Sequence, residues 1–351
     1  MRTRLTFFLL SCALSVAANA QPAALTVGTA TAVAGQTVTG FIDVPAGSDA
    51  GTNIPVVLIR GPKPGSTLAL VAGAHGTEYA SIIALEKLIR ELSPADVSGT
   101  VIIIPLVNMA SFEQIVPHLN PVDGKNMNRF YPGNPNGTQT ERASWAVTKQ
   151  VVEKSDYLID LHGGDLDESL RPYSYWGPIG NAQQDAVSRA MVLAFGLDTI
   201  IISTDRPHDP NAARYLETNA SLRGKPSFTA EAGYAGTVQT DDVAALTNGC
   251  MNVMRYLKML PGDARPVQDP VWIGRIATIT SESAGIFYPM VKRGSYVQQG
   301  MKIGYVTDLF GRTVWEARAP ASGVVLHICA LPSMKKGDGV ANIGVVASKE
   351  P

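Results

Sequence analysis

Two histidines in this chain stand in company that could do chemistry. His75 lies in Gly73-Ala74-His75-Gly76-Thr77-Glu78, a His and a Glu three residues apart among glycines, and His162 lies in Asp160-Leu161-His162-Gly163-Gly164. On a single turn, side chains three apart face the same way. The glycines let the backbone bend tightly and leave the surroundings open. Two histidines and one glutamate are a known ligand set for catalytic zinc, which takes three protein ligands and keeps a fourth position for water. The pattern therefore points to one Zn2+ per chain, held by His75, Glu78 and His162. The bland alternative is a helix-capping Glu78 beside an exposed His75. The remaining histidines, His118, His208 and His327, stand alone in sequence and read as structural.

The elements around these residues say how they would be positioned. TLALVAG at 67–73 is a short apolar run, followed by helical spacing of Leu85, Leu88, Ile89 and Leu92. VIIIPLVN at 101–108, YLIDLHGG at 157–164, TIIIST at 199–204 and PSFTAEAG at 226–233 read as further strands. Residues 141–154, 183–196 and 243–260 read as helices, and 110–140, rich in Asn, Pro and Gly, as a long loop. Apolar strands alternating with helices predict an α/β domain with a mixed sheet flanked by helices. In such sheets ligands bind beyond the carboxyl ends of the strands. His75 follows TLALVAG and His162 ends YLID, so both fall there.

Residues 23–60 read as short edge strands. PGDARPVQDP at 261–270 reads as a linker, and the Gly- and Pro-punctuated pieces beyond it as a small β domain over 271–351. The division expected is a signal segment at 1–20, a zinc hydrolase domain of α/β type at 21–262 and this β-rich end.

Four motifs in order, GAHGTE, NMNRFYPG, DLHGGD and TAEAG, resemble those of the succinylglutamate desuccinylase/aspartoacylase family, within the zinc carboxypeptidase superfamily, over about residues 50–345. The resemblance implies a zinc-carboxypeptidase-like sheet, a lipoyl/biotinyl-like C-terminal β domain, and a zinc-dependent deacylase that hydrolyses the amide of an N-acyl amino acid or related compound. Residue by residue, it implies that His75, Glu78 and His162 bind zinc. It further implies that Asn128 and Arg129 hold a substrate carboxylate and that Glu231 is the general base and then acid. The chemistry suits each role: a glutamate beside the water can pass its proton to a leaving amine, and a guanidinium grips a carboxylate with two parallel bonds. Thr77 stands where many relatives carry an acid or amide. A further substrate-binding arginine has no motif to place it, leaving Arg171, Arg206 and Arg214 as candidates by elimination.

The first twenty residues carry a basic start at Arg2 and Arg4, an apolar run from Leu5 to Val16 and Ala18-Asn19-Ala20, the pattern of a secretory signal peptide. The protein is thus expected to be exported, periplasmic or secreted, with no membrane association after cleavage. Removing those two arginines leaves 27 Lys and Arg against 30 Asp and Glu, a balance that gives no footing for nucleic acid or an anionic membrane surface. Cys250 and Cys329 have no partner spacing and read as separate buried thiols. Two other functions stay open at this stage. One is a zinc carboxypeptidase trimming peptides, cell-wall peptides among them. The other is a catalytically inactive periplasmic protein that binds carboxylates.

Overall fold

The computed structural model describes residues 24–349 and 351; the export signal expected over residues 1–20 lies outside the described residues. The chain opens with a hairpin of β1 (Leu25–Val27) and β2 (Ala30–Ala32), followed by antiparallel β3 (Gln36–Val44) and β4 (Thr52–Arg60). β5 (Lys63–Ala72) leads into α1 (Tyr79–Glu91), and β6 (Ser98–Ile104) returns parallel to β5. After α2 (Met109–Gln114) a long connection reaches α3 (Gln139–Val147) and then β7 (Tyr157–His162), also parallel to β5. β8 (Glu168–Trp176), α4 (Ala182–Phe195), β9 (Thr199–Ile202), α5 (Leu216–Ser221), β10 (Ser227–Tyr234) and α6 (Thr240–Tyr256) follow.

The alternation of each central strand decides which residues face which layer. In β5, Leu68, Leu70 and Ala72 join a core with α1, α4 and α6, while Ala69 and Val71 face the opposite core with α3 and α5. Both faces are covered, which is why these strands read as unbroken apolar runs. In β7, Ile159 and Leu161 point to the first core and Leu158 to the second; with a period of two, Asp160 and His162 share the second face. In β10, Phe228, Ala230 and Ala232 occupy the first core, so Thr229 and Glu231 share the face of His162.

Two elements escape the sequence reading. β8 contains Pro172, and a proline inside a run argues against a strand. α5 is only six residues long, too short for a helical period to register. The segment expected as one loop over 110–140 starts inside α2, which Asn108 caps by accepting the Ser111 N–H (3.2 Å), and holds a 3-10 turn at Met127–Arg129.

The C-terminal strands are β11 (Val271–Thr280), β12 (Gly285–Pro289), β13 (Tyr296–Val297), β14 (Lys302–Thr307), β15 (Thr313–Arg318), β16 (Gly323–Cys329), β17 (Ser333–Met334) and β18 (Gly339–Val346). β12, β14, β15 and β17 form a four-stranded sheet, and the others continue the large mixed sheet past β9. The two layers enclose their own core, with Phe287, Ile303, Val306, Val325 and Ile343 buried in it.

The continuation is made at two places. β11 pairs parallel with β9 through Val271–Ile273, and β16 pairs antiparallel with the start of β8 through His327–Cys329. β8 and β9 are themselves paired, as are β11 with β18 and β18 with β16. The five strands β8, β9, β11, β18 and β16 therefore close a ring, filled by Leu170, Tyr173, Ile201, Ile273, Val324 and Leu326. Cys250 and Cys329 are free, buried thiols, as their spacing implied. No helix among the described residues is long and apolar enough to cross a membrane.

Candidate active site

The carboxyl ends of β5, β7 and β10 deliver the site. Gly73, at φ 70°, turns the chain out of β5 in a conformation that favours glycine, and His75 to Glu78 follow at once. Glu78 occupies the N-cap position of α1 but makes no capping bond with its side chain, which removes the bland reading of that residue. Its carboxylate is instead spent inward. Oε1 lies 2.6 Å from His75 Nδ1, Oε2 lies 2.9 Å from His162 Nδ1, and Oε2 also accepts the Gly163 N–H at 2.9 Å. Glycines are required where DLHGG passes the end of β10: a Cβ on Gly233 would stand 2.1 Å from Gly164 N, and one on Gly164 would stand 2.5 Å from the Gly233 carbonyl carbon.

The two rings have acceptors at their far nitrogens. His75 Nε2 lies 3.1 Å from Asn126 Oδ1, and His162 Nε2 lies 3.3 Å from Asp160 Oδ2. Acceptors there keep the protons on Nε2 and turn the Nδ1 lone pairs inward. Two lone pairs and a carboxylate then converge, with their ligand atoms within 4.8 Å of one another. Such a set repels itself when bare and suits a bound cation. His75, Glu78 and His162 can therefore hold a metal ion, and two His with one Glu is a set that fits zinc. The electrostatics agree. Burial opposes charge on each imidazole, yet Glu78 raises both His75 and His162 above the ordinary histidine range, helped at His162 by Asp160. Burial likewise opposes charge on Glu78, but the two rings pull its carboxyl well below the usual range.

Glu231 sits beside His162 by register: the two are partners across the parallel pair β10–β7. On the other side of Glu231, β8 contributes Tyr173 at the paired position, and its hydroxyl donates to Glu231 Oε2 at 2.8 Å. His162, Glu231 and Tyr173 thus form one row across three neighbouring strands, whose spacing is about 4.8 Å. Burial raises the Glu231 carboxyl, His162 opposes that shift and Glu78 adds to it; the net is upward.

Asn128 is buried against the site. Its Oδ1 accepts the Leu216 N–H (3.0 Å) and its Nδ2 lies 3.2 Å from His162 Nε2, so its side chain packs beside a ligand histidine. Arg129 lies over the Tyr215 ring (4.8 Å) and donates to the Asn128 carbonyl (2.6 Å); no carboxylate within salt-bridge distance competes for it among the described residues. Of the three arginines left by elimination, only Arg206 reaches the cavity, held between Tyr215 (4.0 Å) and Tyr175 (5.5 Å) and paired with buried Glu217 (3.1 Å). Arg171 is bound to Asp198 instead. Thr77 donates to Asp165 Oδ1 (2.5 Å), and Asp165 Oδ2 accepts the His118 N–H (2.9 Å).

All six predicted residues line one cavity of about 600 Å³. Its wall also includes residues that sequence reasoning set aside or missed: His118, Glu168, Tyr173 and Tyr175, and, from the C-terminal strands, Arg275, His327 and Asn342. His118 is clamped by Asp167 (2.8 Å) and Asp165 (3.2 Å). Burial works against its charge, but the hydrogen bond it donates to Asp167 and the adjacent acids push it up to about 9. His327 goes the other way, down to about 4 through burial.

Residues 64–257 match the family described as the succinylglutamate desuccinylase/aspartoacylase catalytic domain. The chain belongs to this family. A curated relative, N-alpha-acetyl-L-2,4-diaminobutyric acid deacetylase of Halomonas elongata, is 29% identical over 317 residues, covering 88% of this chain and 91% of the relative. Two solved structures share the fold. A succinylglutamate desuccinylase from a Silicibacter species has a TM-score of 0.80 at 26% identity, covering 91% of this chain and 98% of its own. The product-bound ectoine utilization protein EutE (DoeB) of Ruegeria pomeroyi has a TM-score of 0.79 at 27% identity, covering 88% and 95%. The α/β fold with a mixed sheet flanked by helices, and the family itself, were both legible in the sequence motifs.

Proposed function

We propose that this protein is a zinc-dependent amidohydrolase that removes the acyl group from a small N-acyl amino acid. The observation that carries the reading is the row of His162, Glu231 and Tyr173 beside the converging His75, Glu78 and His162 donors. Zinc held by those three residues would polarise the scissile carbonyl and bring the pKa of a bound water to about 7. Glu231 takes the proton of the attacking water and hands it to the departing amine; a carboxyl raised toward neutrality by burial suits both tasks. Tyr173 fixes the Glu231 carboxylate with its hydroxyl. Arg129, without a carboxylate partner among the described residues and braced on Tyr215, receives the substrate carboxylate. Asn128 positions His162 and the start of α5. The closed ring of strands bounds the cavity on one side, which favours a small molecule over an extended peptide. The relatives' names point the same way, since one deacetylates an N-acetyl diamino acid.

The test is metal content and turnover of the purified protein on N-acetyl, N-succinyl and N-formyl amino acids beside short peptides, with and without a chelator. Chelator-sensitive hydrolysis of an acyl amino acid is the expected result. Activity on peptides alone would move the protein to the carboxypeptidases, and absence of both metal and turnover would leave a carboxylate-binding protein. Export is part of the proposal on sequence grounds alone. N-terminal sequencing of protein from the producing cells should begin at Gln21, and a retained Met1 would overturn it.

A further inference from the structure

The cavity contains a carboxyl group that no Lys or Arg among the described residues pairs with. Of the acids that line it, Glu78 faces His75 and His162, Glu217 pairs with Arg206, and Glu231 is bound by Tyr173. Asp205 is exposed on the rim beside Arg206. Glu168 is half-buried, and its carboxylate has a single polar partner, the Asp165 N–H at 3.1 Å. No Lys or Arg lies within salt-bridge distance of it among the described residues. The nearest cation, His118, is already held by two other carboxylates, Asp165 and Asp167.

Glu168 is also fixed in place. It is the first residue of β8, its N–H donates to the Asp165 carbonyl (3.0 Å), its own carbonyl accepts the Ala235 N–H (2.7 Å), and it is in register with Cys329 of β16. Sheltering an acid without a cation is costly, and the cost is visible: burial first, then the charges of Glu78 and Glu231, push Glu168 up to about 8. The same cavity has a complementary surplus of positive charge. Arg129 and Arg275 both line it, and neither has a carboxylate partner among the described residues.

We propose that Glu168 is a specificity residue that receives a free ammonium group on the amino-acid part of the substrate, while the Arg129 guanidinium receives its carboxylate. The substrate class is then a diamino acid acylated on one nitrogen only. This rests on the deacylase reading for the acyl group, but not for the binding of the amino acid itself. A purely structural Glu168 would do no more than accept the Asp165 N–H, and a glutamine does that equally well.

The experiment compares 2,4-diaminobutyrate with 2-aminobutyrate, which lacks the second amino group, by calorimetric binding to the metal-loaded protein, and compares kcat/KM for their Nα-acetyl forms. The wild type should prefer the diamino compound by roughly 10- to 100-fold, the range of a charged hydrogen bond. Glu168→Gln should erase most of that ratio, and Glu168→Asp, which keeps the charge but retracts it, should retain part of it. A wild type that does not discriminate, or a ratio unmoved in Glu168→Gln, would overturn the proposal. If neither acetyl compound is hydrolysed while the binding preference persists and depends on Glu168, the deacylase reading falls and the role of Glu168 stands.

Discussion

The row on β7, β10 and β8 and the wall supplied by β11, β16 and β18 face the same cavity but are built by different means. The row comes from strand ends whose side chains alternate, so His162 and Glu231 are adjacent because two parallel strands are in register. The wall comes from pairings made far along the chain, between β9 and β11 and between β8 and β16. The row carries groups with opposed electrostatics held within hydrogen-bond reach, which is what bond breaking needs. The wall carries Arg275, His327 and Asn342 at the boundary of the cavity, and such groups select more than they transform. On the proposed reading, the row would set the reaction and the wall would contribute to what reaches it.

This division can be broken by experiment, and the row should give the largest effect. Glu231→Gln is expected to retain its metal while turnover falls by about 10²–10⁴-fold. A variant with near wild-type kcat would take the proton transfer away from this row. Next comes Arg129→Ala, which should lower kcat/KM for acyl amino acids by roughly 10- to 100-fold, and less for the corresponding amides, which lack the carboxylate; equal losses on both would refute the anchor. Gly164→Ala tests the packing beneath the row. Its Cβ meets the Gly233 backbone at 2.5 Å, and overpacking of this kind costs about 1–3 kcal/mol, to be read as a lower midpoint in denaturant. Smallest is the wall: Arg275→Ala should raise KM by only about two- to tenfold with kcat preserved, since a half-solvated charge contributes on the order of 1 kcal/mol. A kcat defect there comparable to that of Glu231→Gln would erase the distinction.

What could be read in advance follows the same line. His75, Glu78, His162 and Glu231 sit in short segments where a strand period and a few glycines announce a strand end. Their convergence then needs only the general rule for open α/β sheets. Tyr173 and Glu168 were hidden because Pro172 disguises β8, although that strand completes the row. Glu217 and Tyr215 were hidden by the brevity of α5. His118 and His327 look alike in sequence, each isolated, and both reach the cavity. Their opposite shifts follow from burial, which prevails at His327, and from the acids at 165 and 167 that clamp His118 and outweigh it there. The family motifs implied a role for Arg129, and among the described residues the structure places no carboxylate within salt-bridge distance of it.

The ring of β8, β9, β11, β18 and β16 also orders events in time. β8 acquires its β16 neighbour only when the chain has run from Leu170 on to His327, and the ring closes only once β18 has joined β16 to β11. A nascent or truncated chain ending before β16 would carry the metal-binding donors in an open cleft, able to meet solvent and unselected molecules alike. Synthesis of β16 and β18 thus precedes closure of the ring that bounds the cavity.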